Sequence, residues 1–153
     1  MAYTANRELA CCERRLLDFD PDSGSETIVT LNPSASEKCL AFSALGGLMS
    51  VVAGLMHSVG TGSITTFRIF VADNAAGTTN AANVVSHALG SDPNAVGDTV
   101  WVEASAEQLR AASSTAAYVG VKITLGTSTD ECVVAFERYA KQAYNALTAD
   151  YVS

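Results

Sequence analysis

From residue 117 to 125 the chain alternates, with Ala117, Val119, Val121, Ile123 and Leu125 on one side and Tyr118, Gly120, Lys122 and Thr124 on the other. A period of two sends successive side chains to opposite faces of a pleated strand, so the pattern predicts a strand with one buried face. Cys132, Val134 and Phe136 repeat it on a second arm, and residues 126–130, Gly-Thr-Ser-Thr-Asp, carry turn chemistry between the two. The stretch 117–138 reads as a hairpin around which the core is organised.

Similar signals recur upstream. Residues 27–31 are short and β-branched, and 32–36 (Asn-Pro-Ser-Ala-Ser) form a turn. Leu40, Phe42 and Ala44 share one face of 38–45. Residues 48–57 are strongly apolar and read as a central strand, which Gly54 and the Val51-Val52 pair favour over the competing helix. In 64–73, Phe67, Ile69 and Val71 alternate against Arg68 and Phe70. Residues 82–89 make a weaker strand, and in 98–104 Val100 and Val102 oppose Thr99, Trp101 and Glu103. Gly46-Gly47, Gly60-Thr61-Gly62, 73–80 and 90–97 supply the breaks. Ser105 followed three residues on by Gln108 is a capping box, which predicts a short helix over 105–112. About eight strands spaced roughly ten residues apart, with one helix, predict an all-β fold: a single-domain antiparallel β-sandwich or jelly roll.

The ends differ from this core. Leu9, Cys12, Leu16 and Phe19 lie three or four residues apart, which predicts a short helix over 7–17, with an extended arm as the competing reading. The organisation expected is an N-terminal arm or short helix over 1–24, a sandwich core over 25–138, and a C-terminal tail over 139–153 that is rich in Ala and Tyr.

Charge narrows the partners. Of 153 residues only 16% are charged, below the usual quarter, so part of the surface is expected to be covered by neighbours. The net charge is −7, and the nine Lys and Arg are spread along the chain without a basic cluster, which disfavours nucleic-acid binding. The apolar run 40–56 is interrupted by Ser43, Gly46, Gly47, Ser50 and Gly54, which argues against a membrane span, and 1–13 has no signal-peptide apolar region. Cys11, Cys12, Cys39 and Cys132 include no Cys-x-x-Cys, so four reduced thiols from a reducing cytoplasm are expected rather than a zinc site.

Candidate chemistry is sparse. Asp18, Asp20 and Asp22 match positions 1, 3 and 5 of an EF-hand loop, but Ser23 stands where Gly is required, Val29 where Glu is required, and Pro21 sits inside the loop. A solvated acidic turn is the reading. His57 and His87 each lie near the end of an apolar strand. A hydrolase would need one of them oriented by a carboxylate and facing an activated Ser or Cys, yet no Gly-x-Ser-x-Gly is present. Asp130 and Glu131 are placed in a surface turn. Trp101 with Tyr118 raises a sugar platform, against which a lone Trp on an alternating strand reads as core or interface. No catalytic, cofactor-binding or metal-binding residue is assigned, no cofactor is expected, and the protein is read as non-enzymatic.

Residues 92–98 (Asp-Pro-Asn-Ala-Val-Gly-Asp), the Val-Trp-Val-Glu-Ala-Ser-Ala-Glu strand that runs into the helix, the strand 118–125, Thr129-Asp130-Glu131 and the closing 147–152 (Leu-Thr-Ala-Asp-Tyr-Val) together resemble small structural proteins of tailed bacteriophages. The resemblance is to the capsid decoration, or cement, class and spans the last 70 residues or so. It implies a β-rich, often trimeric virion protein on the outer capsid lattice. Such a protein bridges capsomers of the major capsid protein and stabilises the head after assembly in the host cytoplasm, with no catalytic residues, nucleic acid or membrane partner. The alternative is a receptor- or carbohydrate-binding β-sandwich module of a virion fibre or tail.

Overall fold

The structure is a computed structural model that describes residues 12–19, 25–42, 48–88, 94–127 and 129–140. Among the described residues nine strands follow one another: β1 (Cys12–Phe19), β2 (Thr27–Ile28), β3 (Leu40–Ala41), β4 (Leu48–Val59), β5 (Ile64–Ala72), β6 (Ala82–Ala88), β7 (Thr99–Ser105), β8 (Tyr118–Leu125) and β9 (Glu131–Ala140). A helix, α1 (Ala106–Ala112), separates β7 from β8. One sheet has the order β1-β9-β4-β7. The other has β2-β8-β5-β6, with β3 also paired to β8, and every pairing is antiparallel. The two sheets close on one core, so the chain is an all-β sandwich with one short helix.

Alternation decides what lies inside. Val51, Ala53 and Leu55 of β4, Val134 and Phe136 of β9, Phe67, Ile69 and Val71 of β5, and Val119, Val121, Ile123 and Leu125 of β8 are all buried in that core. The helix begins as its sequence dictates. The Ser105 side chain accepts from the Gln108 N–H and the Gln108 side chain accepts from the Ser105 N–H, which satisfies two orphan donors. Leu109 then plugs into the core.

Two expectations change. The stretch 117–138 is not a hairpin: β8 pairs with β2, β3 and β5, whereas β9 pairs with β1 and β4 in the opposite sheet. Its alternation set the buried faces of both arms from Val119 and Cys132 onward, although Ala117 is exposed, but a period of two carries no information on which strand lies alongside. The connector 126–130 therefore crosses between sheets, and so does the β4–β5 connector. Because β4 lies beside β9 and β5 beside β8, the two crossings stack, and the four strands form one antiparallel ribbon folded over on itself.

The helix expected over 7–17 is, in its described part, strand β1. It pairs with β9 from Cys12↔Tyr139 to Phe19↔Cys132. The spacing of Leu9, Cys12 and Leu16 suggested a helical stripe, but Leu16 is exposed between the half-buried Arg15 and Leu17. Leu17 packs on the core, and the Arg15 guanidinium crosses to donate to the Leu31 carbonyl at 2.9 Å. Residues 1–11 and 20–24, with Cys11, Asp20 and Asp22, lie outside the described residues.

The outer face of the five-stranded sheet is covered. Phe70 lies there with Cys39 and Ala72 under the backbone of the 38–39 and 73–80 loops, tied by Cys39 N–H to the Ala75 carbonyl at 2.9 Å. Gly120 makes room for it, because a Cβ there would lie 2.6 Å from the Phe70 ring. Lys122 sits 4.6 Å over the same ring, and Arg68 pairs with Glu26 at 3.2 Å.

Removing the largest buried side chain of β9 tests this core. Phe136→Ala should lower unfolding free energy by about 3–5 kcal/mol in urea titration. Ser105→Ala should lower it by about 1 kcal/mol, because only the cap is lost.

Candidate functional site

Two places gather side chains that the packing alone does not explain. The first is buried at the end where the two crossings stack. Asp130 and His57 are both fully buried, with His57 Nε2 3.8 Å from Asp130 Oδ1. The Gly62 N–H donates to Oδ1 at 2.8 Å and the Thr127 N–H to Oδ2 at 3.1 Å, so the carboxylate ties the β4–β5 crossing to the β8–β9 crossing. Glycine is required around it. A Cβ at Gly60, whose φ is +103°, would lie 2.0 Å from Oδ1, and one at Gly62 would lie 2.0 Å from Oδ2.

Burial pushes the Asp130 carboxyl up, but the hydrogen bonds from Gly62 and Thr127, with His57 nearby, outweigh it, so its pKa lies below the ordinary 3.8. Neither ring nitrogen of His57 has a hydrogen-bond partner among the described residues. Cys132 stands opposite His57 in the β4–β9 register, which brings together the residue types of a Cys-His-Asp arrangement. The chemistry does not follow. Burial pushes the Cys132 thiol up to about 12, so it stays protonated at neutral pH, and the side chains of Cys132, His57 and Asp130 are withdrawn from solvent.

The second place is the outer face of the four-stranded sheet. Register aligns Leu16, Ala135, Gly54 and Trp101 in one line across all four strands. Val133, Met56 and Thr99 form the next line. Trp101 is 57% exposed and Leu16 73%, and Met56 is also exposed. Gly54 sets the geometry, because a Cβ there would lie 2.4 Å from the Trp101 ring; only hydrogen lets the ring lie against β4. Between Leu16 and Trp101 runs a shallow groove of about 290 Å³, lined also by Leu55, Met56, Thr99, Val133 and Ala135. On the other flank, Val52 stands between Glu137 and Glu103.

The sequence-predicted candidates scatter. Asp130 is buried rather than in a surface turn, because its carboxylate finds backbone donors from both crossings; Glu131 is exposed as expected. His57 is at the inner end of β4, whereas His87 is exposed on β6. Trp101 is exposed and not core, and it lies on the opposite sheet from Tyr118, so the two do not form a sugar platform. Cys39 is a buried free thiol like Cys132, and burial pushes it up to about 12 despite Lys122 and Lys38 nearby. Among the described residues no group of three or more His, Cys, Asp or Glu could hold a metal ion, and no helix is long and apolar enough to cross a membrane. Sequence reasoning missed the Trp101 groove. Its signal was the coincidence of Gly54 and Trp101 at facing positions, which becomes visible only once the register is known.

Because the folded-state pKa of Asp130 lies below its unfolded value, its stabilisation is complete above pH 3.8 and is lost as pH falls below that value. Unfolding free energy measured against pH should therefore drop in that window. Asp130→Asn should remove that component and destabilise the protein at neutral pH. Gly54→Val should lift the Trp101 ring off β4, read as a red shift of tryptophan emission with the fold retained by circular dichroism.

No family model matches the chain, and no curated protein matches it. The fold is similar to that of a chain from the solved Bacillus endospore appendages, described as a novel family of disulfide-linked pili. The two share 14% identity over 86% of this chain and 88% of that chain, with a TM-score of 0.41.

Proposed function

We propose that the protein is a non-enzymatic structural subunit of a larger particle, and that the Trp101 face of the four-stranded sheet is buried when that particle assembles. One observation carries the reading. The two outer faces each hold an aromatic ring seated over a glycine, Phe70 over Gly120 and Trp101 over Gly54. Loops cover the first ring, whereas the second stays 57% exposed beside Leu16 and Met56. Exposed aromatic and Met side chains, here with Glu103 and Glu137 on one flank, are the composition of protein–protein contact centres.

The particle proposed is a tailed-bacteriophage head. There the protein would sit as a decoration subunit on the outer capsid lattice, as a homotrimer bridging capsomers of the major capsid protein, and it would reach the virion surface after assembly in the host cytoplasm. The resemblance of residues 92–152 to that class supports this reading. So does the net charge of −7, which suits a position away from packaged DNA.

A second reading, a carbohydrate- or receptor-binding module of a fibre or tail, draws on the exposure of Trp101. The groove lining favours protein over sugar. Sugar sites combine an aromatic face with several hydrogen-bonding groups, and here Thr99 supplies the sole side-chain hydroxyl among Leu16, Leu55, Met56, Val133 and Ala135.

Trp101→Glu leaves the core untouched and should fold with wild-type stability, yet be lost from purified particles, measured by its stoichiometry against the shell protein. Normal incorporation of the folded variant would contradict the proposal.

A further inference from the structure

β7 ends the four-stranded sheet, and its free edge can be read residue by residue. The His57 N–H donates to the Asp98 carbonyl at 3.0 Å, and Leu55↔Val100, Ala53↔Val102 and Val51↔Ala104 continue that phase along the ladder. Successive residues of a strand turn their backbone groups to opposite sides. Val100, Val102 and Ala104 therefore face β4, whereas the N–H and C=O groups of Thr99, Trp101 and Glu103 face away from it. Among the described residues no strand pairs with them.

Both ends of this edge are closed. The Gln108 side chain takes the Ser105 N–H at 2.9 Å, and the turn before β7 is shut by the Asp98 N–H on the Ala95 carbonyl at 3.0 Å. The Trp101 ring is drawn off the edge, because it lies over Gly54 on the β4 side.

An open row of backbone donors and acceptors is a template for another strand, and chains that leave such an edge unpaired protect it. The other edges carry that protection. β1, Cys-Glu-Arg-Arg-Leu-Leu-Asp-Phe, holds four charged residues among its eight. β6 pairs through a bulge beside Ile69 and Phe70, and β2 and β3 are two residues each. β7 has no Pro, no Lys and no bulge, and Glu103 is its single charge.

The occupant that fits is a second β7. With a two-fold axis through Trp101, normal to the sheet, the edge is complementary to itself. Trp101 of one copy meets Trp101 of the other, and Thr99 of each meets Glu103 of the other, so every outward residue exchanges both backbone bonds. An axis through Val102 would instead set Thr99 against Ser105, whose N–H is already taken. The Trp101-centred register also keeps the two Glu103 carboxylates apart, each facing a Thr99 hydroxyl. The joint is one strand wide and roughly 24 Å long at about 3.4 Å per residue, which covers less than the ~800 Å² per partner of a standard interface, so the pairing is weak and concentration-dependent.

We infer that two copies of this protein pair through their β7 edges, antiparallel and centred on Trp101, so that two four-stranded sheets become one continuous sheet. The Leu16–Trp101 grooves stay on the outer side of that sheet, brought side by side and still open. A two-fold joint is distinct from the threefold contact of the proposed trimer. It goes beyond that reading and does not rest on it.

Two measurements on the full chain test this. Sedimentation over a dilution series up to roughly 100 μM should show a monomer–dimer equilibrium. Amide hydrogen exchange at Trp101 and Glu103 should slow about threefold or more from the dilute to the concentrated end, while Val102, which faces β4, stays unchanged. Thr99→Glu sets like charges opposite Glu103 at both ends of the joint. It should leave a monomer, folded by circular dichroism, with fast exchange at both amides. Adding Glu103→Lys to the same chain should restore the dimer, because opposite charges then meet.

A monomer at every concentration would overturn the inference. So would an oligomer whose Trp101 and Glu103 amides exchange as fast as in the dilute protein. A dimer that persists in Thr99→Glu, or that Glu103→Lys does not restore, would overturn it as well. None of these outcomes decides whether Trp101→Glu is excluded from particles, so the edge pairing and the assembly reading fail separately.

Discussion

The sandwich turns on a single carboxylate. Asp130 accepts N–H bonds from Gly62 in one crossing and Thr127 in the other, and two glycines leave the space it needs. Those crossings carry the chain between the sheets at the centre of both, where β4 lies beside β9 and β5 beside β8. A ribbon folded over on itself needs its bend fixed, since otherwise the two layers could slide in register. A buried charge with backbone donors on two loops fixes it, and a nonpolar residue of the same size could not satisfy those N–H groups. At the opposite flank, the Arg138 guanidinium donates across the interior to the Ala41 carbonyl, and Arg15 does the same to Leu31. Polar groups thus tie the layers together at their margins while apolar packing fills the middle.

This arrangement explains why groups that look catalytic lie buried between the sheets. His57, Cys132 and Asp130 converge because the β4–β9 register and the crossing bring them together, and the same burial raises the Cys132 thiol. The two outer faces diverge in a more telling way. Each seats an aromatic ring on a glycine. The loops around residues 38 and 75 close over Phe70, whereas among the described residues nothing comparable closes over Trp101. That uncovered apolar line across four strands is the surface the proposed assembly would close.

Much of the architecture was legible in the chain. The alternation in 119–125 and 132–136 set which side chains are buried, and the Ser105–Gln108 pair located the helix start. The period-two signal was silent on partner and sheet, so it made a hairpin of two strands that lie in opposite layers. The spacing of Leu9, Cys12 and Leu16 was read as a helical stripe where β1 pairs as a strand. Asp130 was placed in a surface turn by its Gly-Thr-Ser-Thr neighbours, because local composition cannot register the Gly62 N–H from 68 residues away. The Trp101 groove was hidden for the same reason: it is assembled from Leu16, Gly54, Trp101 and Ala135, four strands that only register unites.

The central claim is that the outer face of the four-stranded sheet is closed by assembly. Hydroxyl-radical footprinting of the native particle against the isolated subunit, read at Trp101 and Met56 by mass spectrometry, tests it most directly. The account predicts strong protection of both side chains in the particle, with exposed His87 of β6 as an internal comparison. Equal oxidation of Trp101 and Met56 in the two states would contradict it.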